Sequence, residues 1–426
     1  MRADLDVIII GAGAAGMMCA AVAGRRGRRV MLVDHAERLA EKIRISGGGR
    51  CNFTNRRVGT ENFVSDNPDF CRSALAGYGP DDFIKLVDAH GIAWHEKHRG
   101  QLFCDDSSED IIALLRRECD QGKVGWRMPA RVQSLEKGDL FTVHTTLGVL
   151  KAPQLVIATG GMAIPQLGAT DFGLSVARQF GLKVIEPRPA LVPLVFDQAQ
   201  WQPFSTLAGL SLQAELTTGQ GRQAGAFVED LLFTHRGLSG PAILQISNYW
   251  QPGQPINVDL MPGVDLDAWL LDAKKAPHAG RCAPALSPKG GPFALGRPGD
   301  KKGGRQSLIN ALTTHWPRRL AESWLAATGM AEQAGCRLAD LPDATLRQAG
   351  RQAQGWQLVP SGTAGYKKAE VMRGGVDTRG INQKTMQARN VPGLFFIGEA
   401  LDMTGWLGGY NFQWAWSSAV ACGRAL

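Results

Sequence analysis

The sequence predicts an α/β fold with a parallel sheet, into which a β-rich segment and a small helical segment are inserted. Three observations support this prediction. A strand, a glycine turn, a helix and a second strand follow one another within the first 34 residues. Short apolar strands that end in glycine recur near residues 158 and 397, and between them the apolar pattern changes first to short alternating runs and then to helical spacing.

The N-terminal unit begins with Asp6–Ile10, a β-branched run that is typical of a buried parallel strand. The turn Gly11-Ala-Gly-Ala-Ala-Gly16 follows, and then the Ala-rich stretch Met17–Arg26, which favours a helix. A second strand, Arg29–Val33, ends at Asp34, whose carboxylate is placed to accept the ribose hydroxyls of a dinucleotide. A Gly-x-Gly-x-x-Gly turn in this context, with an acid after the next strand, predicts a dinucleotide site.

Each glycine of the turn has its own task in such a site. Gly11 permits the tight turn, Gly13 lets the backbone approach a pyrophosphate, and Gly16 lets the helix pack on the sheet. The backbone N–H groups around Ala14 and Ala15, together with the helix dipole, then hold the phosphates.

The C-terminal part favours a flavin over a nicotinamide as the bound cofactor. Strands at Gln154–Ala158 and Gly393–Ile397 both lead into glycine, and a helix over Tyr410–Leu426 opens at Gly408-Gly409. A helix N-terminus at this place can direct its positive end at the pyrimidine side of a flavin and stabilise the reduced anionic ring. A nicotinamide enzyme has no need of this second glycine-rich group.

The middle of the chain is predicted to form two further parts. Short alternating runs predict a β-rich domain, whereas Leu, Ala and Trp at helical spacing predict a helical subdomain. The glycines of Gly219–Gly225 lie in a polar stretch and indicate a hairpin turn. The predicted domains are residues 1–190 with 371–426, residues 191–262 with 355–370, and residues 263–354, the last including a basic Gly/Pro-rich linker at 273–305.

Charge and cysteine usage exclude several classes of protein. The net charge is +8, but residues 273–305 contribute +7 of it, so the rest of the chain is close to neutral and we expect no specific nucleic-acid partner. The eight cysteines show no Cys-x-x-Cys pair and no zinc spacing, so no metal site is expected. No apolar run is long enough to cross a bilayer and no leader pattern is present, so we expect a cytoplasmic protein without a membrane partner.

Several motifs resemble one known family. They are Asp6 to Gly16, Ser46-Gly-Gly-Gly-Arg-Cys-Asn-Phe-Thr-Asn55, Leu231-Leu-Phe-Thr-His-Arg-Gly-Leu-Ser-Gly-Pro241, Gly374-Gly-Val376, and Gly393 to Ser418. Together they look like the bacterial FAD flavoproteins that include aminoacetone oxidases and NAD(P)H-dependent 3-dehydro-bile-acid reductases. The resemblance implies a glutathione-reductase-like Rossmann FAD domain that is split in sequence by a β-barrel-like domain and a small helical subdomain.

The resemblance also implies which residues bind FAD. Besides the turn with Ala14 and Ala15 and the ribose-binding Asp34, it implies Lys42, the backbone of Val132 at the adenine, and Gly160 beside the second strand end. The remaining residues line the pyrophosphate, the ribityl chain and the flavin ring: Ser46, Gly47, Gly48, Arg50, Cys51, Asn52, Gly398, Glu399, Asn411 and Phe412.

The sequence thus predicts an FAD-dependent oxidoreductase that acts on a small organic molecule. Both amine or ketone oxidation and enone reduction, with NAD(P)H as a transient electron donor, remain open, as do an RNA-modifying or RNA-binding flavoprotein and a flavin redox sensor without turnover. No catalytic side chain and no oligomeric state can be assigned. Cys51 beside Arg50 is either reactive or a packed, inert thiol, and His235 is either a general acid or a structural turn residue.

Overall fold

The computed structural model describes residues 4–221, 224–275 and 303–426. These residues form two compact units, one from the residues up to Val192 together with Gly365–Leu426, the other from Pro193–Ala364. Residues 276–302, which hold most of the predicted basic linker, lie outside the described residues.

The strands and helices are numbered in chain order. The strands are β1 (Val7–Ile10), β2 (Val30–Val33), β3 (Asn52–Asn55), β4 (Phe63–Val64), β5 (Trp94–Glu96), β6 (Gln101–Cys104), β7 (Gly125–Arg127), β8 (Val132–Lys137), β9 (Phe141–Thr145), β10 (Gly148–Ala152), β11 (Gln154–Ile157), β12 (Val184–Ala190), β13 (Leu194–Val195), β14 (Ser211–Thr218), β15 (Gly225–Thr234), β16 (Gly237–Ser239), β17 (Ile256–Asp259), β18 (Trp356–Leu358), β19 (Gly362–Thr363), β20 (Val371–Val376), β21 (Leu394–Phe396) and β22 (Thr404–Gly405). The helices are α1 (Ala14–Arg25), α2 (Glu41–Ile45), α3 (Arg72–Gly77), α4 (Pro80–Ala89), α5 (Glu109–Gln121), α6 (Phe172–Gln179), α7 (Gln198–Trp201), α8 (Pro241–Ser247), α9 (Leu266–Lys275), α10 (Leu308–Leu312), α11 (Arg318–Ala327), α12 (Asp343–Gln354) and α13 (Tyr410–Ala425).

A five-stranded parallel sheet forms the centre of the first unit, in the order β21-β11-β1-β2-β7. Ile10, the last residue of β1, pairs with Ile157 on one side and with Val33 on the other, so the central strands end at the same edge. All four residues of β1 are buried, as expected for a strand that is covered by helices on both faces.

Helix α1 packs between α5 and α13, and glycines let these helices approach closely. A Cβ on Gly24 of α1 would lie 2.3 Å from the carbonyl oxygen of Gly122, just after α5, and a Cβ on Gly423 of α13 would lie 2.8 Å from the Val22 side chain. The C-terminal helix therefore covers the helix that follows the first glycine turn.

Four small sheets complete the first unit: the three-stranded sheets β10-β9-β8 and β3-β6-β5, and the pairs β12-β20 and β22-β4. The second unit contains a seven-stranded sheet, in the order β18-β17-β14-β15-β16-β13-β19, together with α7 to α12. Thr218 pairs with Gly225 across the end of the β14-β15 ladder, which confirms the predicted hairpin. The barrel-like closure of this domain stays a prediction.

The predicted strands and helices of the Rossmann part are confirmed to within a few residues. In the part of the chain that the structure describes, no helix combines the length and the apolar character that a membrane span requires.

The packing of α13 gives a test of what stabilises the first unit. The Trp416 ring is fully buried and stacks on Phe83 at 4.4 Å between ring centroids, and its indole N–H donates to the Phe53 carbonyl at 2.8 Å. We expect Trp416→Ala to lower the free energy of unfolding by ~3–5 kcal/mol, because it leaves a large cavity. Denaturant unfolding measures this loss. Leu147→Ala, at a side chain that is 52% exposed, is the control. Equal stability of the two variants would show that the packing of Trp416 does not stabilise the first unit.

Candidate functional site

A cavity of about 560 Å³ lies at the carboxyl edge of the central sheet. Its walls include the residues that follow four strands: Gly11 after β1, Asp34 after β2, Thr159 after β11 and Gly398 after β21. Open α/β sheets bind their ligands at this edge. The described residues that line the cavity all belong to the first unit.

The glycines of the first turn are required for two different physical reasons. A Cβ on Gly11, where φ is 112°, would lie 2.4 Å from the Ala158 carbonyl oxygen, and a Cβ on Gly16 would lie 1.8 Å from the Gly11 carbonyl oxygen. The protein's own packing therefore demands both glycines. A Cβ on Gly13 would meet nothing within 4 Å, because this position faces the cavity. Only a ligand that approaches the backbone gives Gly13 a reason to be glycine.

Asp34 ties the turn to the second strand. One of its carboxylate oxygens accepts the Ala12 N–H at 2.6 Å and the other accepts the Ala36 N–H at 2.8 Å. A carboxylate has about four acceptor sites, so lone pairs remain on both oxygens for the hydroxyls of a ribose. Asp34 therefore shapes the turn and also presents acceptors to the cavity.

A second glycine-rich stretch runs from Ser46 to Gly49 and contributes Ser46, Gly47 and Gly48 to the cavity wall. Gly47, Gly48 and Gly49 all have left-handed φ angles, of 58°, 67° and 86°. A Cβ on Gly47 would lie 2.9 Å from the Phe103 ring, whereas a Cβ on Gly48 or Gly49 would meet nothing within 4 Å. The chain here turns in a conformation that side chains disfavour, and Gly48 presents bare backbone to the cavity.

Lys42 and Glu399 form an ion pair in the cavity wall, with 3.0 Å between the ammonium and one carboxylate oxygen. The other oxygen of Glu399 accepts the Met372 N–H at 2.7 Å, so the carboxylate is held from two sides. Gly160 lies against this pair, because a Cβ there would be 3.7 Å from Glu399 and 4.0 Å from Lys42.

Helix α13 holds the wall formed by the C-terminal motifs. The Gly398 N–H donates to the Ser418 hydroxyl, and the Gly398 carbonyl accepts the Trp414 indole N–H, both at 3.0 Å. At the start of α13, Gly408 and Gly409 have φ angles of 116° and 94°. A Cβ on Gly409 would lie 2.4 Å from the Thr54 backbone, so the helix N-terminus approaches β3 as no other residue type could.

Two polar groups in the wall lack partners among the described residues. The hydroxyl of Thr159 is buried without a hydrogen bond. Glu370, just before β20, has no hydrogen-bonding or ion-pair partner for its carboxylate among these residues. The Glu370 side chain is exposed on the cavity side, and the protein around its carboxyl group raises the pKa of Glu370 to about 7 by displacing water from it.

Most of the residues expected to bind the cofactor line this one cavity. They are Gly11, Gly13, Ala14, Ala15, Asp34, Lys42, Ser46, Gly47, Gly48, Asn52, Gly160, Gly398, Glu399, Asn411 and Phe412. The described cavity wall does not include Gly16, Arg50, Cys51 or Val132. Gly16 has a packing role instead, Arg50 is exposed, and Val132 lies in β8.

The structure shows the surroundings of Cys51 and His235, whose roles the sequence left undecided. Cys51 is fully buried, and burial raises the pKa of its thiol well above the usual range, which favours a packed cysteine over a reactive one. His235 is exposed in the tight turn between β15 and β16 of the second unit.

Sequence reasoning missed several residues of the wall, among them Gln101, Phe103, Thr159, Leu191, Glu370 and Trp406. No local pattern marked Glu370, which follows Lys367, Lys368 and Ala369 directly before β20. Gln101 and Phe103 come from β6, whose place beside the cavity depends on long-range pairing with β3.

The donor set of the wall fits an extended dinucleotide. It combines bare glycine backbone and a helix N-terminus for phosphates, a carboxylate with spare lone pairs for a ribose, and an orphaned buried hydroxyl. In the described residues no cluster of three His, Cys, Asp or Glu side chains could hold a metal ion.

Comparison with known proteins is consistent with this geometry. The family model of the HI0933-like protein Rossmann domain matches residues 5–425. The chain is 46% identical to a ribosomal RNA dihydrouridine synthase of Escherichia coli, over 99% of this chain and 98% of that protein. It is 41% identical to a protein of the same name from Haemophilus influenzae, over 98% of both chains. It is 28% identical to the 3-dehydro-bile acid delta(4,6)-reductase of Clostridium scindens, again over 98% of both.

These relatives correct two expectations. The expected kinship with 3-dehydro-bile-acid reductases is confirmed, but the relatives at 46% and 41% identity are named ribosomal RNA dihydrouridine synthases, not aminoacetone oxidases. The expectation of a small-molecule substrate and no nucleic-acid partner is wrong for the same reason. It relied on the near-neutral net charge outside the linker, whereas a nucleic acid responds to the local arrangement of charges on a surface.

Gly13 and Gly16 give a matched pair of variants for the cavity. We expect Gly13→Ala to leave the stability of the apoprotein within ~0.5 kcal/mol, because its backbone is extended and its side faces open space, while FAD affinity falls ~10-fold or more. Gly16→Ala should instead lower the free energy of unfolding by ~3 kcal/mol or more through its clash with Gly11. Thermal unfolding and FAD titration separate the two effects. Wild-type FAD affinity in Gly13→Ala would contradict the role of this turn.

Proposed function

The chain belongs to the HI0933-like family, an FAD-binding Rossmann family, and from that membership we propose that it is an FAD-dependent reductase that forms dihydrouridine in ribosomal RNA. The observation that carries this proposal is the 46% and 41% identity to two proteins of that name, each over at least 98% of both chains. Local similarity in the Rossmann part alone would support only the cofactor. End-to-end similarity includes the second unit and the cavity wall, where a substrate would be selected.

The residues that would hold FAD follow from the cavity. Residues Gly11 to Ala15, at the first turn and the start of α1, would hold the phosphates, and Asp34 would offer acceptors to a ribose. Residues Ser46 to Gly48 and the glycines before α13 would offer bare backbone to the remainder of the dinucleotide. Bound FAD supplies a hydride equivalent, for which we propose NAD(P)H as the source.

Reduction of uridine also needs a proton. The 5,6 double bond of uracil is conjugated with the 4-carbonyl group, so the hydride adds at C6 and the proton is added at C5. The nicotinamide donor gives up a hydride, which is one hydrogen with two electrons. The pyrimidine gains this hydride together with one proton from the protein. A general acid with a pKa near the working pH is best suited to deliver it.

We propose Glu370 as this acid. The described cavity wall contains four carboxylates. Asp34 accepts backbone N–H groups, Glu399 pairs with Lys42, and Glu41 lies 3.6 Å from the Arg44 guanidinium. Glu370 has no described partner and is exposed to the cavity, and partial loss of water around its carboxyl group raises its pKa to about 7, so the group holds a proton close to neutral pH.

The reaction can be tested directly. Transcripts of the bacterial rRNAs, incubated without oxygen with the FAD-loaded protein and NADPH or NADH, should yield dihydrouridine, measured by mass spectrometry of the digested nucleosides. Omission of the reductant, or use of Gly13→Ala protein without FAD, should abolish the product. If the rRNA stays unmodified while a 3-oxo-Δ4 steroid reoxidises the reduced flavin, the protein is an enone reductase of small molecules and the proposal is wrong.

Glu370→Gln tests the proton donor. Only protonated Glu370 donates, so the wild-type rate should be full below pH 7 and fall about tenfold per pH unit well above it, whereas Glu370→Gln should lower the rate ~100-fold and remove this dependence. Glu136→Gln, the same change at an exposed carboxylate of β8 outside the described cavity wall, should keep the wild-type rate and profile. An unchanged rate and profile in Glu370→Gln would refute the assignment.

The same variant has a readout that does not depend on activity. The pKa of Glu370 is raised in the folded state, so the folded protein binds this proton more tightly than the unfolded chain, and its stability decreases as the pH rises toward about 7. At pH 8 Glu370→Gln should therefore unfold at a higher temperature than the wild type. Near pH 4, where the wild-type carboxyl is largely neutral in both states, the difference should disappear.

A further inference from the structure

Two loops at one edge of the β3-β6-β5 sheet carry adjacent cationic residues. Arg56 and Arg57 follow β3, and Lys97, His98 and Arg99 connect β5 to β6. The Arg56 N–H donates to the Gly100 carbonyl at 2.9 Å, so the two loops lie side by side. All five side chains are exposed. We call these five residues the cationic rim.

The cationic rim is joined to the cavity wall. The Asn55 side-chain amide donates to the Arg99 carbonyl at 3.1 Å and to the Gly408 carbonyl at 2.9 Å, and Gly408 lines the cavity. The Lys97 ammonium lies 4.1 Å from the centre of the Phe103 ring, which also lines the cavity. The buried amide of Asn55 thus links the backbone of the rim to the backbone that begins α13.

Positive charge dominates the rim, because four of its five side chains are permanent cations. Glu96 lies 2.6 Å from the Arg56 guanidinium and pairs with it. The same guanidinium lies over the Trp94 ring at 5.1 Å, so Arg56 is held in place by two contacts. Arg99 has a φ of 59°, an unfavourable angle for a residue with a Cβ, and the Asn55 amide holds its carbonyl in that conformation.

We propose that the cationic rim binds the phosphates of the RNA strand on either side of the target uridine. This inference rests on the proposed function. An enzyme that reduces a base must take that base out of the helical stack, so the flanking backbone stays outside while the base enters the cavity. Exposed Arg and Lys side chains beside that cavity neutralise the charge that the backbone brings to it.

The rim also accounts for how a chain with a near-neutral body can bind a polyanion. Phosphate contacts are local, so the positive charge that remains on the two adjacent loops after Glu96 pairs with Arg56 can bind a short stretch of single-stranded backbone. Arg57 and Lys97, one from each loop, have no ion pair among the described residues. A charge reversal at these two positions breaks no described ion pair, although at Lys97 it removes the contact between the ammonium and the Phe103 ring.

The test compares two double charge reversals in the FAD-loaded protein. Arg57→Glu with Lys97→Glu changes the rim, and Lys123→Glu with Lys151→Glu makes the same change in net charge at exposed lysines after α5 and in β10. The probe is a set of rRNA transcripts, and the affinity is measured at increasing KCl concentrations. We expect the rim variant to bind at least ~10-fold more weakly at about 0.1 M salt, with a salt slope reduced by ~1.4, which is two phosphate contacts at ~0.7 each. The lysine control should bind as the wild type does.

FAD content and dihydrouridine formation distinguish the possible failures. The rim variant should keep its FAD and lose product formation at low rRNA concentration through a higher KM. If the wild type forms dihydrouridine but the rim variant binds rRNA with wild-type affinity and slope, the rim proposal is wrong and the proposed function stands. If the wild type neither binds nor modifies rRNA, both are wrong.

Discussion

The close approach between the first glycine turn and the neighbouring strand is the constraint on which the rest of the molecule depends. The Gly11 backbone lies against Ala158, and α1 begins so close to the turn that Gly16 has no space for a single carbon. This contact sets the position of α1, which in turn packs against α5 and α13. Helix α13 holds Gly398 through two hydrogen bonds. The position of the cavity wall at Gly398 therefore also depends on the contact between the first glycine turn and Ala158.

Local sequence was sufficient to predict the Rossmann part because its signals are local. A β-branched strand, a glycine turn and an acid 18 residues after Gly16 have one common structural solution, and the structure contains it. The same holds for Gly408-Gly409, where glycine is demanded by the approach of Thr54. Motifs that reflect backbone geometry can be interpreted one at a time.

The missed residues of the wall depend on contacts that no local pattern contains. Phe103 lies beside the cavity because β6 pairs with β3, which is distant along the chain, and Glu370 faces it because β20 pairs with β12. The expectation of no nucleic-acid partner was wrong for a related reason. Net charge is a property of composition, whereas the cationic rim exists only because the loops after β3 and before β6 meet in space.

The division of the first unit between the two ends of the chain has a consequence for its biosynthesis. The central sheet receives its edge strand β21, and the cavity receives its Gly398 and Gly408 walls, only from residues beyond 393. While the ribosome is still making the second unit, the nascent first unit has its phosphate turn but lacks the helix that covers α1. The complete wall of the cavity therefore exists only after α13 has been synthesised, and until then α1 lacks the helix that packs on it.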